Sequence, residues 1–417
     1  MKKQINTTQL KQGMYVAELD RPWLESPFPF QGFFVDSDEY LQTLKSLCTY
    51  VIIDLDKGDD IDVAIQHEPA PITNRIDLNK RERAPVKVSF EEEITNARQV
   101  HHRTRSQIDS MFNDVRMGKN IDVSGAKEVV SGMVDSIIRN PDAMQWLTNL
   151  RKRDEYTAIH SMNVCIFALT FGRYLGLADA ELNELGIGAL LHDIGKMRMP
   201  LEILNKKGRL SDEEYDIVRQ HARHGYEILQ QTPGLPPSAL EVAYSHHERK
   251  KGNGYPRGLT NDQIPLFVKM VAIVDIYDAI TSDRAYRPGM STLDALKNMF
   301  EWREHDLDSD LVESFISCLG IYPIGSLVEL NTEEVGIVIS VAQGRRLTPM
   351  VMLVRDAEKK IMLPPKVIDL SSFMRGKSKQ PVEIKKVLEP NAYDIDVREY
   401  IQQEFSISSF DETSSAR

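Results

Sequence analysis

Cysteine is scarce in this chain. Its 417 residues include three, Cys48, Cys165 and Cys318, widely separated and without a CxxC pair. That excludes a disulfide framework and a zinc ribbon and fits a reducing compartment. Long apolar runs are missing too. The start, MKKQINTTQLKQG, has lysines but no apolar signal-peptide core, and the stretch from Val268 to Ile280 is interrupted by Lys269, Asp275 and Asp278. Neither a secretory leader nor a membrane span is expected, and a cytoplasmic location follows. Positive charge is in deficit: 51 Lys and Arg against 62 Asp and Glu leave a formal net charge of -11. Such a surface disfavours a nucleic acid polymer or an anionic membrane as partner. There is no internal repeat.

The length allows two or three domains. Residues 1–67 read as a small α+β domain, with strand-like runs at Met14–Leu19, Gly32–Val35 and Tyr50–Asp54 around a helical pattern over Glu39–Leu47. Residues 68–88, EPAPITNRIDLNKRERAPVKV, mix proline with charge and read as a linker. Residues 89–150 read as a helical connector, with helices over Phe90–Met117 and Ala126–Arg139, Pro141 as a boundary, and His101 and His102 facing solvent. Residues 151–322 are almost wholly helical in pattern. There Ser211 and Glu214 form a capping-box signature for one helix running through Val218 and His221 to Leu229. Residues 323–405 contain the runs LVEL, VGIVISV and MVMLV and read as a β-rich appendage, and 406–417 as a disordered polar tail. The expected fold is mainly α, flanked by a small α+β domain and a β-rich appendage.

The chemistry concentrates in ALLHDIGKMRM, residues 189–199, where His192 and Asp193 adjoin at the end of an apolar run. A buried carboxylate needs a cation or a dense hydrogen-bond network. The helical region supplies further donors: His160 in an apolar helix, His221, the pair His246 and His247, and Asp275 in the apolar run FVKMVAIVDIYDAI. Each residue alone is compatible with ordinary core hydrogen bonding. Together, five imidazoles and two carboxylates suit more than one divalent ion, with Asp193 as the candidate bridge and no cysteine to make a closed zinc site. His224, near His221, reads as a surface or supporting residue.

LLHDIGK, HHERKKGNGYP from His246 to Pro256, and AIVDIYDAITSDRAYRP from Ala272 to Pro288 resemble the HD-GYP family of the HD metallohydrolase superfamily, in the family's order and spacing. The resemblance implies an all-helical HD-type domain over 151–322 that hydrolyses cyclic dinucleotides, mainly cyclic di-GMP, to pGpG and on to GMP. It implies metal ligation by His160, His192, Asp193, His221, His246, His247 and Asp275, the set already reached from chemistry. It further implies phosphate contacts from Lys196, Arg284 and Arg287, and a substrate loop made of Gly254, Tyr255 and Pro256. Asp193 and Lys196 are then the catalytic pair, with Lys196 acting electrostatically one turn from His192. Family members with three metals have a glutamate one turn before the first histidine; Tyr156 stands there, so two divalent ions are expected, iron or manganese by the resemblance. Lys250 and Lys251 replace an apolar residue and an aspartate, which bears on the loop and on phosphate contact. Two alternatives stay open: mixed cyclic GMP-AMP as substrate, or a catalytically weak sensor that signals by protein contact. A homodimer or a signalling-protein partner is compatible with either. The first domain resembles a domain of unknown function found ahead of HD-GYP in bacterial proteins.

Overall fold

The structure is a computed structural model that describes residues 2–21, 28, 32–35, 38–55, 57, 85–150, 156–206, 208–282, 289–303, 305–341, 347–375 and 382–402. Most of the expected linker, the polar tail, Arg284, Arg287 and the side chain of Tyr156 lie outside the described residues.

The N-terminal unit contains β1 (Lys2–Asn6), β2 (Tyr15–Leu19), β3 (Phe33–Phe34), α1 (Asp38–Leu47) and β4 (Tyr50–Asp54). Its antiparallel sheet has the order β1-β4-β2-β3. Ile5, Met14, Val16, Leu44, Val51 and Ile53 form a core of its own, closed by Ile321 from the far end of the chain. The sequence pattern misses β1, because this edge strand buries only Ile5 and so shows no alternation.

The helical body begins with α2 (Phe90–Arg116), α3 (Val123–Arg139) and α4 (Pro141–Leu147). A Ser89–Glu92 capping box opens α2, Asp122 caps α3, and Asn140 with Pro141 starts α4. Buried Phe90, Ile94, Ala97, Ile108, Met111, Phe112 and Val115 trace one face of α2. His101 lies on that face and is buried, contrary to the solvent-facing expectation; His102 is exposed. Burial, then the charge of Arg105, pulls His101 down to about 4.

Then come α5 (Tyr156–Tyr174), α6 (Asp179–Leu191), α7 (Leu201–Leu204), α8 (Asp212–Arg219), α9 (His221–Gln230), α10 (Pro237–Ser245), α11 (Leu266–Thr281), α12 (Thr292–Trp302) and α13 (Ser309–Leu319). The Ser211–Glu214 capping box is present, but the helix expected to run from it to Leu229 is two helices broken at Gln220. Residues 89–150 do not stand apart: α2, α3 and α4 share one continuous core with α5, α6, α10 and α11. The C-terminal unit comprises β5 (Leu327–Leu330), β6 (Val335–Ser340), β7 (Met350–Arg355), β8 (Ile361–Asp369), α14 (Leu370–Arg375), β9 (Ile384–Val387) and α15 (Val397–Gln402). Its antiparallel order is β8-β7-β6-β5-β9. Leu327, Ile337, Met352 and Val354 join the helical core, while Val328, Leu330, Val338, Val351 and Leu353 form a second layer. Strand β9 escapes the sequence pattern because it is a short, polar edge.

Asp142 pins α4 to this sheet. It is buried and accepts hydrogen bonds from the Ser340 hydroxyl at 2.6 Å and the Val341 amide at 2.9 Å. Burial outweighs those bonds and pushes its carboxyl up to about 6. The folded chain therefore keeps the proton to higher pH than the unfolded one. The resulting stabilisation is fully present below the unfolded value near pH ~4 and is lost as pH rises through about 6. Asp142→Asn keeps an acceptor but no titrating group, and should remove a decline of ~3 kcal/mol across that window. Urea unfolding of both proteins on either side of the window checks it.

Candidate metal centre

Three of the histidines are placed by one local device. His192 follows the last residue of α6, His221 follows the break after α8, and His246 follows the last residue of α10. Each turns its Nδ1 to a carbonyl in the last turn of the helix just ended: His192 to Ala189 at 2.7 Å, His221 to Val218 at 2.6 Å, His246 to Val242 at 3.1 Å. A carbonyl can only accept, so Nδ1 carries the proton and Nε2 presents a lone pair. A carbonyl oxygen has two lone pairs, so a last-turn carbonyl can accept from such a ring even beside a backbone amide, as Val242 does with the backbone N–H of His246 at 3.0 Å. His160 and Asp275 come instead from within α5 and α11, which wall the pocket.

The structure brings all seven expected ligands into one pocket. His160, His192 and Asp275 form one cluster of closely spaced donor atoms, and His221, His246 and His247 a second. Asp193 lies between them. Its Oδ2 is 3.6 Å from His160 Nε2 and 3.3 Å from His192 Nε2, and its Oδ1 is 3.4 Å from His221 Nε2 and 3.8 Å from His246 Nε2. One carboxylate thus turns an oxygen towards each cluster.

Several features fit cations here. His221 Nε2 is 3.3 Å from His246 Nε2, which brings two nitrogen lone pairs together, and 3.1 Å from His247 Nε2. Burial pulls His221 down to about 4 and His246 to about 3, so protons are not what separates them near neutrality. His192 Nε2 and Asp193 Oδ1 are buried without a hydrogen-bond partner among the described residues. Burial opposes ionisation of Asp193, yet the Lys196 ammonium and the imidazoles around it hold its carboxyl well below the usual range. At His160 burial acts downward, but hydrogen bonds to Asp275 and Asp278 carry it up to about 9. The donor set, imidazole and carboxylate without thiolate, suits divalent first-row metals.

Lys196 is not on the helix of His192. Helix α6 stops at Leu191, and Lys196 sits in the 3₁₀ turn Ile194–Arg198 with its ammonium against Asp193 Oδ2. Gly195 lets this turn press on the start of α9: a side chain there would run into the His221 carbonyl and the Gly225 amide. His192 and His246 are sealed from solvent, whereas Lys196, His247, Asp275 and Tyr255 are partly exposed and mark the mouth.

The GNGYP segment folds back over that mouth. Tyr255 stacks on His247 with ring centres 4.7 Å apart, and the Arg219 guanidinium lies 4.7 Å from the Tyr255 ring centre. The tyrosine of the expected substrate loop is thus packed against a histidine and an arginine. Gly254 lies flat on Glu248 and Arg249, where any side chain would clash with backbone, and Pro256 is exposed. Lys250 bonds the Ser309 hydroxyl at 2.9 Å, at the start of α13, and Lys251 contacts His305 Nδ1 at 2.6 Å, in the connection between α12 and α13. Asp278, Asn163 and Glu248 are buried polar residues of this region that the sequence reading missed. The signal for Asp278 and Asn163 was their spacing, one turn after Asp275 and His160. A separate cavity of about 160 Å³, bordered by Asn149, Tyr277, Ser326 and Arg398, contains none of the seven.

Comparison with known proteins gives a consistent set of likenesses. Residues 142–311 match the family model of the HD domain, and residues 2–126 that of a domain of unknown function, DUF3391. A cyclic di-GMP phosphodiesterase of Pseudomonas aeruginosa is 39% identical over 375 residues, 89% of either chain. The 3'3'-cGAMP-specific phosphodiesterase 3 of Vibrio cholerae is 34% identical over 171 residues, 41% of this chain and 37% of that one. The solved structure of an HDG"Y"P protein from Bdellovibrio bacteriovorus aligns with 76% of this chain and 99% of its own at 15% identity, with a TM-score of 0.47.

Glu248 is what shapes the loop. Buried directly after His247, it accepts the Arg257 amide at 2.6 Å on one oxygen and the Leu259 amide at 2.9 Å on the other. Glu248→Ala leaves both amides without that acceptor, and each should exchange hydrogen roughly 10- to 100-fold faster. Native-state hydrogen exchange resolved at Arg257 and Leu259 checks this.

Proposed function

Because this chain belongs to the HD-GYP family of cyclic di-GMP phosphodiesterases, we propose that its pocket holds two divalent metal ions and hydrolyses cyclic di-GMP to pGpG. The observation that carries the reading is Asp193, with one oxygen towards each of two three-residue clusters. His160, His192 and Asp275 would hold one ion, His221, His246 and His247 the other, and Asp193 would bridge them. Bound there, the ions would supply a water of lowered pKa, towards ~7, and positive charge for the scissile phosphate. Imidazole and carboxylate donors accept iron or manganese, the pair that the family resemblance favours.

The chain's own groups do the rest. Nδ1–H bonds to carbonyls hold three imidazoles with Nε2 inward, so the ligands are oriented before an ion arrives. The sealed inner face of the pocket keeps bulk water from competing with these donors. Lys196, on the open side and beside Asp193, would neutralise a phosphate oxygen. Glu248 and Gly254 hold the GYP loop close to His247, where Tyr255 narrows the mouth. Arg284 and Arg287 follow α11 and remain the candidates for the second phosphate of the ring, where paired guanidinium groups suit bidentate contacts. Mixed cyclic GMP-AMP has the same two phosphates, and the Vibrio cholerae relative specific for it makes it the competing substrate to test.

The decisive experiment incubates purified, metal-analysed protein with cyclic di-GMP, mixed cyclic GMP-AMP and ppGpp under reducing conditions and separates the products. Conversion of cyclic di-GMP to pGpG is expected; cyclic di-GMP left intact by metal-loaded protein would sink the proposal. Asp193→Ala should reduce turnover by more than the roughly 100-fold that an outer-shell metal partner costs, with loss of bound metal. Lys196→Ala should retain the metal and lower kcat/KM by about 10²-fold. Metal content and steady-state kinetics of the two variants separate these roles.

A further inference from the structure

Four of the five clustered histidines have a bonded Nδ1, and they do not share one kind of acceptor. His192, His221 and His246 face neutral backbone carbonyls, but His160 faces a carboxylate, Asp278 Oδ2, at 2.8 Å. Asp278 is buried at 1% exposure, so its charge needs compensation that water does not provide. It also accepts from Asn163 Nδ2 at 3.2 Å and from the Ser282 hydroxyl at 3.2 Å.

These contacts interlock two helices. His160 and Asn163 are one turn apart on α5, and Asp275 and Asp278 are one turn apart on α11. His160 Nε2 lies 3.0 Å from Asp275 Oδ1 while its Nδ1 meets Asp278, so one ring is held at both nitrogens by one helix. Asn163 adds a contact to the outer carboxylate and also lies 3.4 Å from the Thr148 carbonyl.

We infer that Asp278 is a positioning residue that keeps the His160 proton on Nδ1 and, by its charge, makes Nε2 a stronger metal donor than the carbonyl-bonded imidazoles. The inference rests on the metal centre proposed above. A charged acceptor polarises an N–H bond more than a neutral one, and electron density follows to the opposite nitrogen. Asn163 and Ser282 offset part of the cost of burying the acceptor.

The test uses the full chain. Titration calorimetry with manganese(II) on metal-free protein compares wild type and Asp278→Asn. Asp278→Asn should weaken binding roughly 10- to 100-fold. Nuclear magnetic resonance of isotope-labelled, zinc(II)-loaded protein supplies the signature that a packing role would not move. The His160 Nδ1 proton should resonate downfield of those of His192, His221 and His246, and should shift towards them in Asp278→Asn.

Unchanged affinity in Asp278→Asn, or weaker binding without the proton shift, overturns the inference. If that variant does not fold, a wild-type His160 proton at the position of the other three overturns it equally. Should wild type bind neither manganese(II) nor zinc(II), the metal-centre reading fails and this inference with it, whereas metal binding by wild type that Asp278→Asn leaves unchanged overturns this inference alone.

Discussion

Asp193 is a carboxylate at 1% exposure, held ionised by its surroundings. An unpaired charge in such a place would cost several kcal/mol or shift its own protonation, so the neighbouring structure is arranged to compensate it. Lys196 reaches it from the following 3₁₀ turn, and imidazoles border both oxygens. Helices α6 and α10 both end at residues of this cluster, His192 and His246. A helix C-terminus carries partial negative charge, so these ends deepen the demand for cations rather than relieve it.

The helical body makes that convergence rigid. α5, α6 and α11 are apolar on most sides and lie in a core shared with α2, α3 and α10. The seven polar side chains therefore sit on or at the ends of elements that cannot shift independently. Close packing at Gly195, where a side chain would meet the backbone of His221 and Gly225, fixes the turn of Lys196 against α9. The β-rich unit lies outside this pocket, attached through Asp142 and through a sheet face that completes the helical core.

Much was legible because two physical signals survive in one dimension. Apolar periodicity located α1, α2, α3 and the strands β2, β4, β5, β6 and β7 to within a few residues. Metal-capable residues interrupting apolar runs, as His160 and Asp275 do, stood out because a core tolerates them only with partners. The failures are equally physical. Edge strands β1 and β9 bury too little to alternate. His101 looked solvent-facing beside arginines, yet the face of α2 that carries Ala97 and Ile108 turns it inward. The break at Gln220 has no proline or glycine to announce it, and it is what lets His221 bond back to Val218.

By itself the sequence determined the composition of the pocket: which donors exist, that thiolate is not among them, and that one aspartate adjoins a histidine at the end of an apolar run. The tertiary structure alone decided that Asp193 turns one oxygen to each cluster, that Lys196 faces this carboxylate from a separate turn, and that Asp278 lies behind His160. The reason is that donor type is a property of each residue, whereas donor direction depends on where distant helices end and how they pack. Residues 118 positions apart, as His160 and Asp278 are, become partners only when α5 and α11 share a core.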